Sequence, residues 1–268
     1  MSKALTLTIV IPAYNEERHI KACLESIARQ AIKPEQVIVV DNNSTDGTAE
    51  VARSFDFVTL LHESKQGIAY ARDRGYDATT SELIGRIDAD TVLSPHWVSY
   101  AKRFMSKHSN EILTGGAYAY DLRYSKFFGW VQGQIAFRAN RFILGYYIAW
   151  GSNMVFRRDM WGSVRQKASH DIGIHEDIDL TILWHEEGYD ITYHSGWKVG
   201  IDSRFFARHS RVSQLSYLRM WPKTLRTHHV RRAWVGEIGA YMIFYLLYYP
   251  ILFSEIFGRR KRIDISRL

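Results

Sequence analysis

The sequence predicts an α/β fold, a mainly parallel sheet flanked by helices, followed by an amphipathic helical tail. Three observations predict it. Apolar, β-branched runs alternate with helical stripes through residues 5–90, the connections between them are short, and an uncharged aromatic run meets a basic cluster near the C-terminus. Leu5 to Ile11 reads as a buried strand stopped by Pro12. Glu16 to Gln30 carries apolar residues at Ile20, Cys23, Leu24 and Ile27, one face of a helix. Gln36 to Val40 is a second buried strand ending at Asp41, and Asn42 to Gly47 is turn chemistry that opens a helix from Thr48 to Ser54. Phe57 to Leu61 is a third strand, Gly67 to Tyr76 a third helix, and Leu83 to Ile87 a fourth strand running into Asp88-Ala-Asp90. Repeated strand–helix units of this kind imply parallel pairing with right-handed crossovers. Beyond Asn110 the pattern loosens. Phe127 to Trp150 suits an amphipathic helix or helix pair, and Ile178 to Glu187 a helix closed by Gly188.

Bulk composition sets the outer bounds. The 268 residues are 46% hydrophobic and 24% charged, a globular balance, with a formal net charge of +7 and a pI near 9.4. Such a charge favours anionic partners: nucleotide phosphates, nucleic acid or anionic lipid. Nucleic acid is disfavoured, because the Arg and Lys residues form no stripe with stacking aromatics on one predicted element. Cys23 is the sole cysteine and is read as a packed helix residue in a reducing compartment. Residues 1–11 lack a signal-peptide pattern, so the N-terminus is expected to stay in the cytosol. Residues 240–253 form an apolar run interrupted by Pro250 and followed by Arg259-Arg-Lys-Arg262. It falls short of the roughly 20 residues of a spanning helix. It is expected to lie at a bilayer interface, its basic cluster on anionic headgroups; a buried core helix is the alternative.

In parallel sheets ligands sit outside the carboxyl ends of the strands. Three of the four strands end in polar residues: Tyr14-Asn15-Glu16, Asp41, and Asp88 with Asp90. Asp88 and Asp90, one residue apart at a strand end, can share a hard cation and a diphosphate, as oxygen-preferring Mg²⁺ or Mn²⁺ requires. Asp41 can accept from a ribose hydroxyl or a base N–H, or simply initiate a turn. Arg72 can reach phosphate or stand as a solvated helix charge. Glu176 and Asp177 open a helix, where they either complement its dipole or supply a general base.

Taken in order, Ile9-Val-Ile-Pro-Ala-Tyr-Asn-Glu-Glu17, Val39-Val-Asp-Asn-Asn-Ser-Thr-Asp-Gly-Thr48, Lys65-Gln-Gly-Ile-Ala-Tyr-Ala-Arg72, Ile87-Asp-Ala-Asp90, Gly151-Ser-Asn153 and Glu176-Asp-Ile-Asp-Leu180 resemble glycosyltransferase family 2. The resemblance covers residues 5–190. It implies a GT-A, Rossmann-like fold, a nucleotide-diphosphate-sugar donor, a divalent cation and inversion at the anomeric carbon. By position it implies that Pro12, Ala13, Tyr14, Glu16 and Asp41 hold the nucleoside, and that Lys65, Gly67 and Arg72 line the nucleotide pocket. Asp88 and Ala89 would sit at the ribose, Asp88 and Asp90 at the metal. Asp177 would be the catalytic base with Glu176 beside it. Gly151 and Asn153, with Trp150 before them, would shape the sugar and acceptor pocket. A late histidine completes the metal shell in some relatives. His194, His209, His228 and His229 are the candidates, and His209 is the one assigned.

Two departures matter. Processive relatives carry Gln-x-x-Arg-Trp, whereas Gln214-Leu-Ser-Tyr-Leu-Arg-Met-Trp221 has the wrong spacing, which favours transfer of a single sugar. Trp184 stands where relatives often carry a basic residue. The expected division is a nucleotide-sugar-binding part at 1–115, an acceptor-binding part at 116–232 and a membrane-associating tail at 233–268. The expected enzyme is cytoplasmic and peripheral on the inner face of the cell membrane. Its acceptor would be a glycan or a lipid-linked group, a polyprenyl phosphate being the variant. Sugar nucleotidyltransferases are argued against, since Pro12 to Glu17 replaces their Gly-rich, Arg-containing loop.

Overall fold

The computed structural model describes residues 4–120, 137–202 and 211–235. Its elements are β1 (Leu7–Ala13), α1 (Ile20–Ala28), β2 (Gln36–Asp41), α2 (Thr48–Arg53), β3 (Val58–His62), α3 (Ile68–Asp77), β4 (Leu83–Arg86), β5 (Val92–Leu93), α4 (Trp97–Met105), β6 (Glu111–Ala119), β7 (Met154–Arg157), α5 (Arg158–Val164), α6 (Glu176–Glu186), β8 (Asp190–Ile201) and α7 (Arg211–Thr227). Residues 137–144 are also helical. One eight-stranded sheet runs β3-β2-β1-β4-β7-β6-β8-β5 and continues across residue 115, which lies inside β6.

The four predicted strands pair in parallel, as their crossover helices require. The remainder is mixed: β7 is antiparallel to β4 and β6, β8 is parallel to β6, and β5 is antiparallel to β8. Sequence reading found none of these last strands. β8 shows why: it mixes buried, half-buried and exposed positions and carries polar residues along its length, so no apolar run marks it. β1 also extends past Pro12 to Ala13. The Val10 carbonyl accepts from Ile87 N–H and the Ala13 carbonyl from Asn42 N–H, so residue 12 faces the β4 side beyond Arg86, where no partner requires its missing N–H.

Two cores sandwich the sheet. On one face α1 buries Ile20, Cys23, Leu24 and Ile27 beside Trp97 of α4, whose ring stacks on Trp197 at 4.8 Å. Each such aliphatic side chain contributes about 1.5–3 kcal/mol on burial. On the other face α3, α5 and α6 pack through Tyr76, Trp161 and Trp184 onto Ile38, Ile84 and Phe156. Trp184 is fully buried and its indole N–H donates to the Met160 carbonyl at 2.9 Å. The residue that departs from the family pattern is thus core. A smaller cluster joins residues 137–144, α6 and α7 through Ile143, Ile178, Ile182 and Leu225. α1 starts at Ile20 rather than Glu16, because Asn15 turns at φ 55° and Glu16 N–H is taken by Thr48 Oγ1. Among the described residues no helix is long and apolar enough to cross a membrane. The run at 240–253, the basic cluster after it and His209 lie outside the described residues.

Candidate active site

The carboxyl ends of β1, β2 and β4 meet at one edge because all three strands run the same way. Their loops are stapled together. Asn15 N–H donates to Ser44 Oγ (3.0 Å) and Asn15 Oδ1 accepts from Thr45 N–H (2.8 Å), joining the loop after β1 to the loop after β2. Asn42, buried beside Asp41, donates to the carbonyls of Glu63 (3.0 Å) and Lys65 (2.7 Å) and accepts from Gly67 N–H (2.8 Å). That last bond draws in the loop before α3, where Gly67 turns at φ 140°, a conformation other residues rarely adopt.

At this edge the structure brings together Pro12, Ala13, Tyr14, Glu16, Asp41, Lys65 and Gly67. Tyr14 is 49% exposed, with its ring open to a ligand, while Asp41 is 7% exposed. The Asp41 carboxylate accepts from Ser44 N–H (3.4 Å) and lies 3.6 Å from His62 Nδ1. Lys65 Nζ sits over the Tyr70 ring at 5.6 Å. Arg72 is the residue that the resemblance assigns to the nucleotide pocket. It is completely buried, donating to Asp73 (2.8 Å) and to Glu176 Oε2 (3.0 Å), with its guanidinium 5.7 Å from the Trp161 ring centroid. It supports Glu176.

The centre of the site is a residue that sequence reading passed over. Arg86, the last residue of β4, is 1% exposed. Its guanidinium bonds Asp177 Oδ1, Glu176 Oε1 (2.6 Å) and Asp88 Oδ1 (3.3 Å). One cation thus joins the strand-end carboxylate to the pair that opens α6. The available signal was a charged residue inside the apolar run Leu83-Ile-Gly-Arg-Ile87, which a buried strand tolerates only if the charge is paired. Asp177 Oδ2 also accepts from Gly151 N–H at 3.0 Å.

The carboxylates crowd one another. Burial raises the Asp88 carboxyl to about 7, with Asp90, Asp177 and Glu176 adding to the rise and Arg86 opposing it. Burial likewise lowers the pKa of His175, opposed by Asp177 and Glu176. Among the described residues no three His, Cys, Asp or Glu side chains form a ready metal cluster. Asp88 and Asp90 nevertheless fit a hard cation. They are half-buried oxygen donors whose mutual repulsion a cation would relieve, and two carboxylates leave positions for phosphate oxygens.

The other candidates have different employments. Asn153 is completely buried and spent on the fold: Trp97 Nε1 donates to its Oδ1 (2.8 Å), and its amide donates to the carbonyls of Gly116 (3.2 Å) and Trp197 (2.9 Å). Trp150 is half-buried, its N–H held by Thr114 Oγ1 at 3.0 Å and its ring 6.3 Å from that of His175. His194 packs on Tyr100 and His228 Nε2 bonds Asp179 at 2.8 Å, while His229 is exposed.

Acidic residues gathered at the carboxyl edge of its parallel strands mark this as an α/β protein whose ligand site lies at that edge. A family model described as "Glycosyl transferase family 2" matches residues 8–167, and the chain belongs to that family. Among curated proteins it is 28% identical over 133 residues to glycosyltransferase GlyG of Streptococcus pneumoniae, covering 48% of this chain and 44% of GlyG. It is 22% identical over 236 residues to glucosyl-dolichyl phosphate glucuronosyltransferase of Haloferax volcanii, covering 81% of this chain and 75% of that protein. The chain thus spans under half the length of GlyG. Among solved structures, mannosyltransferase PcManGT from Pyrobaculum calidifontis, in complex with GDP-Man and Mn²⁺, superposes with a TM-score of 0.63 at 16% identity over 99% of this chain and 79% of that one. S. aureus TarS residues 1–349 with UDP-GlcNAc gives 0.54 at 13% identity over 97% and 94%. These likenesses show the GT-A fold.

Proposed function

We propose that the protein is an inverting, metal-dependent glycosyltransferase that moves one sugar from a nucleotide-diphosphate-sugar, UDP-linked by preference, to a membrane-associated glycan or lipid acceptor. The observation that carries this reading is the junction of Asp88 with Glu176 and Asp177 through Arg86, which sets acidic groups from distant stretches of sequence around one centre. Mn²⁺ or Mg²⁺ held by Asp88 and Asp90 would neutralise the departing diphosphate as a Lewis acid. Asp41 would accept from the nucleoside, and Tyr14 would lie against it. Asp177 would take the proton of the acceptor hydroxyl as that oxygen attacks the anomeric carbon. A single displacement of this kind needs no enzyme nucleophile.

The acceptor proposal has two supports. The Haloferax relative bears the name of an enzyme acting on glucosyl-dolichyl phosphate, a lipid-linked sugar, and its match covers 81% of this chain. Exposed Phe142 (60%) and Trp234 (63%) stand among exposed Arg138, Arg141, Arg231 and Arg232, with Arg232 4.8 Å from the Phe142 ring centroid, a composition suited to an anionic bilayer surface. A polyprenyl phosphate acceptor is the second reading. There the attacking oxygen is already anionic, and loss of the Asp177 carboxylate would matter less. Release of labelled sugar from a panel of UDP- and GDP-sugars, with and without EDTA, tests the proposal. EDTA-sensitive release is expected, and turnover indifferent to EDTA would remove the metal from the account.

A further inference from the structure

We propose that Arg86 is a positioning residue for sugar transfer: its guanidinium fixes the Asp177 carboxylate in one orientation and locks it to the strand-end carboxylate Asp88. This rests on the reading of Asp177 as proton acceptor. Burying a guanidinium inside a sheet is unfavourable unless it is fully paired, and an apolar residue of similar volume would serve the fold at least as well. Arg86 is nonetheless 1% exposed at the end of a strand that is otherwise Leu83-Ile-Gly. One carboxylate would compensate its charge, yet it has three, drawn from the loop after β4 and from the first turn of α6.

The division of labour within the cluster is specific. Glu176 is bridged, one oxygen on Arg72 and the other on Arg86, so it has a second anchor if Arg86 is removed. Asp177 has Arg86 as its cationic partner on Oδ1 and the Gly151 amide on Oδ2. With one bond at each oxygen, the short side chain has both ends of its carboxylate pinned. A carboxylate offers about four lone-pair positions, so acceptance of a proton stays possible on those left over. The planar fork of arginine reaches Asp177 through Nη1 and Glu176 and Asp88 through Nη2, which a lysine point charge cannot reproduce.

The test uses the full chain and the nucleotide-sugar that turns over in the panel above. Arg86→Ala should lower kcat about 100-fold with the donor KM changed less than about threefold, the loss expected when a reacting group is misplaced by an ångström or so. Sub-denaturing guanidinium chloride should then restore kcat at least about tenfold by refilling the vacated position, where sodium chloride does not. Asp177→Asn should show no such rescue. A kcat within about fivefold of wild type, a loss confined to KM, or no response to guanidinium would each overturn the proposal. If Arg86→Ala does not fold, Arg86→Lys decides, since it keeps the charge and loses the fork. It should show kcat down about tenfold at unchanged KM, and a folded Lys variant with wild-type kcat overturns the role. The underlying reading fails separately: an Asp177→Asn variant with full turnover removes the base whatever Arg86 does.

Discussion

Gly151→Ala is the most informative single substitution the site offers, because it leaves every charge in place and alters only spacing. A Cβ at residue 151 would lie 1.6 Å from Arg86 Nη1 and 2.5 Å from Asp177 Oδ1. To reach the 3.4 Å of an ordinary contact, the guanidinium must retreat by about 1.8 Å and the carboxylate by about 0.9 Å. Both sit in close-packed surroundings with bonds to lose, so overpacking should cost about 1–3 kcal/mol of stability. A base displaced by that distance should lose about 100-fold in kcat, with the proposed nucleoside contacts of Tyr14 and Asp41 left in place. The assay is steady-state turnover of a labelled nucleotide-sugar beside a thermal melt of the same preparation. Wild-type kcat in a variant whose melting temperature is also unchanged would falsify the packing argument, since the added methyl group would then have found room that the structure denies it.

Three further predictions can be checked on the purified protein. Asn153→Ala strands a buried indole N–H and two carbonyls, so it should cost about 3 kcal/mol and lower the melting temperature by roughly 5–10 °C; an unchanged melt would show that Asn153 is free for substrate. Asp77, which burial alone would raise, is held below the usual carboxylate range by Arg165 and Trp161. Its folded pKa is the lower one, so its stabilisation is present above the unfolded value of about 4 and fades as pH falls through the folded value. Asp77→Asn should therefore melt lower than wild type at pH 7, with the gap closing at more acidic pH; a gap that widens with acid would refute the sign. For the surface, Phe142→Ser with Trp234→Ser should weaken sedimentation with anionic vesicles several-fold without changing the melt, and equal sedimentation would move the membrane contact elsewhere on the chain.

What the sequence made legible follows from which interactions are local. The four parallel strands and three helices of residues 7–86 were read to within a few residues because buried parallel strands are continuous apolar runs. Their polar ends announced Asp41, Asp88 and Asp90, and Glu176 with Asp177 stood out as acids opening a helix. The strands β6 and β7 stayed hidden because their partners are distant in sequence, and β8 because buried and exposed positions are mixed along it. The roles of Arg72 and Arg86 were hidden for a related reason. An arginine's function depends on which acids surround it, and here Glu176 lies 104 residues from Arg72 and 90 from Arg86. Asn153 sits in a string shared with the family and so read as a substrate contact, while its three bonds reach 56, 37 and 44 residues away. Proximity in sequence suggested a pocket; proximity in space shows a tie between strands.

The most direct measurement is release of labelled sugar by wild type and by Asp177→Asn, compared across UDP- and GDP-sugars with Mn²⁺ present. The account predicts turnover of at least one donor by wild type and a fall of about 10²–10⁴-fold in the variant, with the nucleotide still bound. Equal rates for the two proteins, or silence from wild type toward every donor, would contradict it.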